Sequence, residues 1–358
     1  MLFESFALGG LQLKNRTVMS PMTRCRNSEG NTPNALMAEY YGQRASAGLI
    51  VTEGTSPSPN GMGYARMPGL YNAAQAKGWR LVTDAVHRAG GKIVVQLMHT
   101  GRVSHLNNMP AGARVVSSTA EVCPGQMWTD QGGMLDHSKP AAMTEADIAQ
   151  AIKEFADSAK LAIEAGFDGV ELHGANGYLI EQFLNGNVNK RTDGYGGSAA
   201  ARNRFAIEAA TAVAAAIGAG RLGIRLSPYG AAAATGAFDG VDEQYYTLAE
   251  KLGAMKLLYL HLVDHSAMGA PPVPAPFKLQ MRKRFGGAFI VAGGFSRETA
   301  EQALAENRGD LVAFGRPFLA NPDLVARMKA GSAINPPDMA TFYTPGAKGY
   351  TDYASLSA

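Results

Sequence analysis

The 358-residue chain predicts an α/β fold closed into a TIM (β/α)8 barrel with an elaborated loop after strand three, and two observations carry this. Eight short runs rich in β-branched residues recur, each followed by a polar or glycine-rich stretch and then a helical pattern. The runs are nearly continuous in apolar residues rather than alternating, as expected of parallel strands covered on both faces. A doubly wound open sheet shares this alternation, and counting strands does not separate the two. No convincing domain boundary appears, so residues 1–358 read as a single domain.

In order, the strands are TVMSP from Thr17, LIVTE from Leu49, KIVVQL from Lys92 and DGVELH from Asp168. RLGIRL from Arg221, KLLYLHLV from Lys256, GAFIVAG from Gly287 and DLVAFG from Asp310 complete the eight. The clearest helix follows Thr144, a good N-cap with Glu145 and Asp147 in the first turn. Ile148, Ile152, Phe155, Ala159 and Ile163 recur at helical spacing, and Gly166 supplies the stop. Similar helices follow Gln75, Ala200 and Glu298. The segment from Gly101 to Met143 exceeds an ordinary βα loop and reads as a structured loop over the barrel mouth, against the plainer reading of a surface insertion.

Composition narrows the function. An apolar fraction of 46% with 18% charged residues is that of an ordinary globular protein, and 42 glycines imply many tight turns or close backbone approaches. A net charge of +3, with no basic run beyond Arg282–Arg284, gives no support for nucleic-acid binding. Cys25 and Cys123 form neither a CxxC nor a disulfide framework, which favours a reducing compartment, most simply the cytoplasm. The first residues lack signal-peptide character, and no apolar run approaches the ~20 residues that span a bilayer. The expected partner is a small molecule, with neither nucleic acid nor membrane.

Barrel active sites lie at the C-terminal strand ends. Strand one ends in Pro21-Met22-Thr23-Arg24, strand two in Glu53-Gly54-Thr55, and strand three in Gln96-Leu97-Met98-His99. Strand four ends in His173-Gly174-Ala175-Asn176, with Tyr178 close behind, and strand five carries Arg225. Strands seven and eight end in Gly293-Gly294 and Phe314-Gly315-Arg316. Glycines that expose backbone N–H groups before a helix, next to a guanidinium, suit a phosphate at the position where barrels commonly hold one. Each glycine alone would only make a turn; it is the pair of sites that points to a phosphorylated ligand. His99, His173, His261 and His265 have no HxH or HExxH spacing and few carboxylates beside them, so no metal is expected. No GxSxG elbow supports a serine nucleophile.

The blocks PMTR, MAEYYGQRASAGLIVTEGT, GYARMPGLY, HRAGGKIVVQL and GFDGVELHGANGYLIEQFL occur in that order. NKRTDGYGGS, RLGIRLSP, FGRPFLANPDLVARM and TFYTPGAKGYTDY follow them, so the set spans nearly the whole chain. With these blocks the sequence resembles the Old Yellow Enzyme family of FMN-dependent ene-reductases. The resemblance implies FMN as bound cofactor and NADPH or NADH as co-substrate, with NADPH the more expected, in a monomer or homodimer. It makes His173 and Asn176 the donors to a substrate carbonyl and Tyr178 the proton donor to the α-carbon. Thr23, with Pro21 and Met22 beside it, falls at the flavin O4, Gln96 and Arg225 at the pyrimidine edge, and Gly54 where the ring nears the backbone. Gly293, Gly294, Gly315 and Arg316 fall at the phosphate, and Tyr64 and Tyr343 at the substrate cavity. Met98 stands where the family commonly has tryptophan, which replaces a flat wall by a flexible one and implies an altered substrate orientation. The expected reaction is ping-pong hydride transfer from NAD(P)H through the flavin to an α,β-unsaturated carbonyl. Reduction of nitro compounds or nitrate esters at the same flavin is the alternative within enzymes, and a non-catalytic flavin-binding barrel the alternative outside them. An acid such as Tyr178 beside two carbonyl donors argues against mere binding.

Overall fold

A computed structural model describes residues 1–356; the last two positions of the expected 1–358 domain lie outside the described residues. The barrel strands are β1 (Thr17–Met19), β2 (Leu49–Thr55), β3 (Ile93–Leu97), β4 (Gly169–Gly174), β5 (Leu222–Leu226), β6 (Tyr259–Val263), β7 (Phe289–Ala292) and β8 (Leu311–Phe314). Each pairs in parallel with the next, β3 joins β4, and β8 returns to β1, so the sheet closes and the open-sheet rival is excluded. Every residue of these strands is buried, which is why the runs carry no polar alternation.

Between them run α1 (Ala35–Gln43), α2 (Ala73–Arg88), α3 (Glu145–Glu164), α4 (Leu179–Leu184), α5 (Ala199–Ile217), α6 (Val241–Ala254), α7 (Ala275–Phe285) and α8 (Arg297–Ala305). Thr144 caps α3 in a full capping box: the Asp147 amide donates to Thr144 Oγ1 at 3.1 Å and the Thr144 amide to Asp147 Oδ2 at 2.9 Å. The buried face of α3 is Ile148, Ala151, Phe155, Ser158, Ala159 and Ala162. Ile152 and Ile163, expected inside, are only half-buried, because the buried face is centred one position earlier, on Ala151, Ser158 and Ala162, and leaves both isoleucines at its edge.

Three further features position the cleft. A hairpin of Phe6–Leu8 and Leu11–Leu13 sends Leu8 and Leu13 against Val18, Leu49, Leu258 and Leu311, at the N-terminal ends of the strands, and closes that end. The Gly101–Met143 segment has structure of its own: Val116–Ser117 pairs with Ala141–Ala142, and Gln126–Thr129 with Gly133–Asp136 as an antiparallel hairpin. Finally, arginines strap the C-terminal segment to the loop after β1. Arg24 donates to the carbonyls of Phe342 and Gly349, and Arg26 to those of Thr341, Gly346 and Lys348. Tyr350 stacks on Tyr40 at 3.9 Å. The C-terminal strap thus brings Tyr343 to the rim of the barrel.

Candidate active site

A cleft of about 1170 Å³ opens at the C-terminal ends of the strands, where the sequence placed it. The loop after β1 contributes Pro21, Met22 and Thr23, β3 contributes Gln96, and Met98 follows at its end. His173 and Arg225 come from β4 and β5, Asn176 and Tyr178 from the turn after β4, Gly293, Gly294, Gly315 and Arg316 from the ends of β7 and β8, and Tyr64 and Tyr343 from outer loops. Gly54 lies behind Met98 on β2. It does not line the cleft, and a Cβ there would come within 2.4 Å of Met98 Cε. In the protein alone, the close approach this glycine permits is that of the Met98 side chain.

His173 sits deep, and burial, then Arg225 and the other histidines, hold its imidazole well below the usual range, so the ring is neutral. Its Nδ1 accepts from the Ala175 amide at 3.3 Å, which leaves the proton on Nε2. Asn176 Nδ2 lies 3.5 Å from that Nε2, two donors side by side. Asn176 occupies the left-handed region at φ 61° and Gly177 follows at φ 77°, so the chain turns sharply and brings Tyr178 back over the imidazole, edge to face at 4.9 Å. Burial pushes the Tyr178 phenol up to about 12, against a hydrogen bond shared with Tyr64, whose hydroxyl lies 2.8 Å away. Tyr178 therefore stays protonated through the neutral range.

Inside the barrel, Gln96 Nε2 donates to Glu171 Oε1 at 2.8 Å, and His261 Nδ1 lies 2.9 Å from Glu171 Oε2. Burial would raise the Glu171 carboxyl, but His261, Arg225 and Gln96 outweigh it and hold it below the usual range. Arg225, next to His173 across β4 and β5, is 6% exposed, and its Nε has no hydrogen-bond partner. A buried guanidinium left this way is costly unless a ligand completes it. At the far end, Gly293 (φ 155°) and Gly294 (φ 72°) lie under the loop after β6; Cβ atoms there would fall 2.9 Å from the Asp264 carbonyl and 2.5 Å from Ala267 Cβ. Arg316 is exposed and makes no ion pair among the described residues. An unpartnered buried arginine at one end and glycines with a free arginine at the other fit a flat ring carrying a phosphate tail, which is the shape of FMN.

Several lining residues went unread in the sequence. His265, held down to about 4 by burial and then Arg225, faces the same cleft, although the sequence suggested it only as one more possible metal ligand. Trp128 and Met134, from the loop hairpin, and Met268, after β6, form an apolar rim. Among the described residues no group of three or more His, Cys, Asp or Glu side chains is placed to hold a metal ion, and no helix is long and apolar enough to cross a membrane.

The family profile of the NADH:flavin oxidoreductase / NADH oxidase family matches residues 1–335. 12-Oxophytodienoate reductase 1 of Oryza sativa subsp. japonica is 43% identical, across 99% of this chain and 93% of that one. A chanoclavine-I aldehyde reductase of Penicillium roqueforti (strain FM164) is 42% identical, across 99% and 96%. Among solved structures, morphinone reductase superposes with a TM-score of 0.95 at 42% identity, covering 99% of this chain and 96% of that one. An Old Yellow Enzyme homologue from Zymomonas mobilis gives 0.94 at 35% identity, with 99% of each chain covered. Likeness over the whole length, on a barrel whose cleft suits a flavin, means that the chain belongs to the NADH:flavin oxidoreductase / NADH oxidase family, among the Old Yellow Enzymes, and is a flavoprotein oxidoreductase that works with a nicotinamide co-substrate.

Proposed function

We propose that this barrel, acting as one domain, binds FMN in the cleft and reduces the activated C=C bond of α,β-unsaturated carbonyl compounds. The observation that carries the reading is the meeting, in one cleft, of a neutral His173, the Asn176 amide and a protonated Tyr178 beside an unpartnered Arg225. Thr23, Gln96 and Arg225 would hold the polar edge of the flavin ring, and Gly293, Gly294, Gly315 and Arg316 its phosphate. Arg225 there would offset negative charge that the ring gains on reduction. Held by these residues, FMN would supply the redox chemistry that connects NAD(P)H to the substrate β-carbon, a hydride relay. His173 Nε2–H and Asn176 Nδ2–H both donate to the substrate oxygen, where negative charge develops in the transition state. The fixed tautomer matters: an imidazole with its proton on Nδ1 would present a lone pair to that oxygen. Tyr178 delivers the proton to the α-carbon. Tyr64, Met98 and Tyr343 bound the space for the rest of the substrate.

The finer assignments follow the same reading. NADPH is the expected donor over NADH, and a monomer or homodimer the expected assembly. Two free, buried cysteines, Cys25 and Cys123, are consistent with the reducing cytoplasm. The deciding experiment is the visible spectrum of the purified protein with and without a simple phenol, followed by anaerobic turnover of 2-cyclohexen-1-one with each nicotinamide. Flavin bands, a long-wavelength charge-transfer band with phenol and enone turnover are expected. A protein that takes up no FMN, or that holds FMN and leaves the enone untouched, ends the reading.

A further inference from the structure

The turn that carries both carbonyl donors is held from behind by a carboxyl group outside the cleft's chemistry. Glu181, on the buried face of α4, is 1% exposed and forms no salt bridge among the described residues. The Gly177 amide donates to its Oε2 at 2.6 Å. Ser227, just beyond β5 and fully buried, donates from Oγ to the Glu181 carboxyl at 2.9 Å, and its Oγ accepts the Asn176 amide at 2.9 Å. Both backbone N–H groups of the left-handed Asn176–Gly177 pair therefore end, directly or through Ser227, on one carboxyl group. From the other side, Gln182 Nε2 donates to the Gly177 carbonyl at 2.7 Å. Gly177 has no room to adjust, since a Cβ there would lie 2.6 Å from Ala233 Cβ.

A left-handed asparagine costs energy and persists only where its surroundings fix it. Burying a carboxyl group with no cation beside it is also costly. The two costs meet in one network, whose effect is to fix the backbone on which the Asn176 amide stands relative to His173. We propose that Glu181, acting through Ser227, is the positioning residue that sets the aim of the His173–Asn176 donor pair. Releasing the turn would let Asn176 swing away from the 3.5 Å approach to His173 Nε2 while leaving the flavin contacts in place, because Thr23, Gln96, Arg225 and the phosphate loops lie outside the network.

This inference rests on the donor-pair reading above, so its test separates the two. The variants are Ser227→Ala, a small deletion, and Glu181→Leu, which removes both acceptors at similar volume. The readouts are FMN content, the phenol charge-transfer band with its dissociation constant, and the rate of the enone half-reaction. Each variant should retain FMN, bind 4-hydroxybenzaldehyde about tenfold more weakly with a diminished band, and reduce 2-cyclohexen-1-one about tenfold more slowly. Wild-type protein with no charge-transfer band would overturn the donor-pair reading itself. A wild-type band that both variants reproduce, with unchanged dissociation constant and rate, overturns the positioning role alone. Two variants that emerge without FMN make the network a folding element and equally overturn it.

Discussion

Tyr178 and Tyr64 show how one hydrogen bond refines a role that the sequence suggested. The family resemblance implied Tyr178 as the acid, and Tyr64 read only as a cavity wall. The Tyr64 and Tyr178 hydroxyls share a hydrogen bond at 2.8 Å, so a Tyr64 proton turned toward Tyr178 would stabilise the phenolate that proton delivery leaves behind. Tyr178→Phe should slow the enone half-reaction by roughly 10²–10³-fold and Tyr64→Phe by about tenfold, both leaving reduction of the flavin by NADPH nearly unchanged; stopped-flow of the two half-reactions checks this. Met98 was legible as a departure from a tryptophan but not as the filler of the space over Gly54, since a one-dimensional pattern does not say which side chain occupies a glycine's gap. Met98→Trp should crowd that space, cost about 1–3 kcal/mol and change the product ratio for a bulky enone, read by melting temperature and chiral chromatography. Glu181 gives a pH signature. Burial raises its carboxyl from 4.5 to about 8, so between those values the folded chain keeps a proton that the unfolded chain has released. Stability therefore falls as pH rises through that window, by on the order of 4 kcal/mol at its upper end. In Glu181→Gln this slope disappears, and the variant's melting temperature should gain on the wild type from pH 5 to pH 8.5. A constant offset would show that Glu181 ionises at its ordinary pH.

At the scale of elements, the long loop after β3 was legible as a mouth-covering segment but its hairpin was not. Its strands are four residues each, half exposed, and lack the apolar density that marks the barrel strands. Its position is set by contacts remote in sequence. The Arg66 guanidinium pairs with Asp130 at the hairpin tip and also donates to the Tyr343 carbonyl, so the hairpin and the C-terminal segment share one anchor. Trp128 Nε1 donates to Asp130 at 3.0 Å, and the ring stands 54% exposed over the cleft, opposite Met134 and near Tyr343. A surface that leaves such rings open at a cleft mouth suits the apolar body of a substrate whose enone lies deeper. Trp128→Ala should raise KM for an enone with a long alkyl or polycyclic substituent by about 5–20-fold, with little change for 2-cyclohexen-1-one. Equal effects on both substrates would place Trp128 in the fold rather than in recognition. The N-terminal hairpin escaped notice for a similar reason: three-residue strands around Gly9 carry no periodic signal, and only their packing on Leu258 and Leu49 gives them a purpose.

The whole molecule is a closed barrel whose strand ends are built for a guest, and its stability should show it. All eight strands and the convergence of the site were legible because buried parallel strands leave continuous apolar runs and a barrel gathers their C-terminal ends at one face. Side-chain couplings across the barrel, such as Gln96 to Glu171 to His261, were not, because they join residues 75 and 90 positions apart that no local pattern links. That network surrounds Arg225, whose Nε is buried without a partner in the protein alone. A ligand that satisfies it binds only the folded chain, so free FMN at 100 times its dissociation constant should stabilise by ~2.7 kcal/mol. For a chain of this size that is roughly 3–5 °C in melting temperature. In Arg225→Ala the buried unpaired guanidinium is gone. The flavin-free protein should then melt near the wild-type temperature, while the rise on adding the same FMN concentration shrinks to a fraction of it. Melting curves over an FMN titration measure both quantities. If Arg225→Ala keeps the full rise, the polar edge of the flavin is held elsewhere and Arg225 belongs to the barrel's internal charge balance with Glu171 and His261.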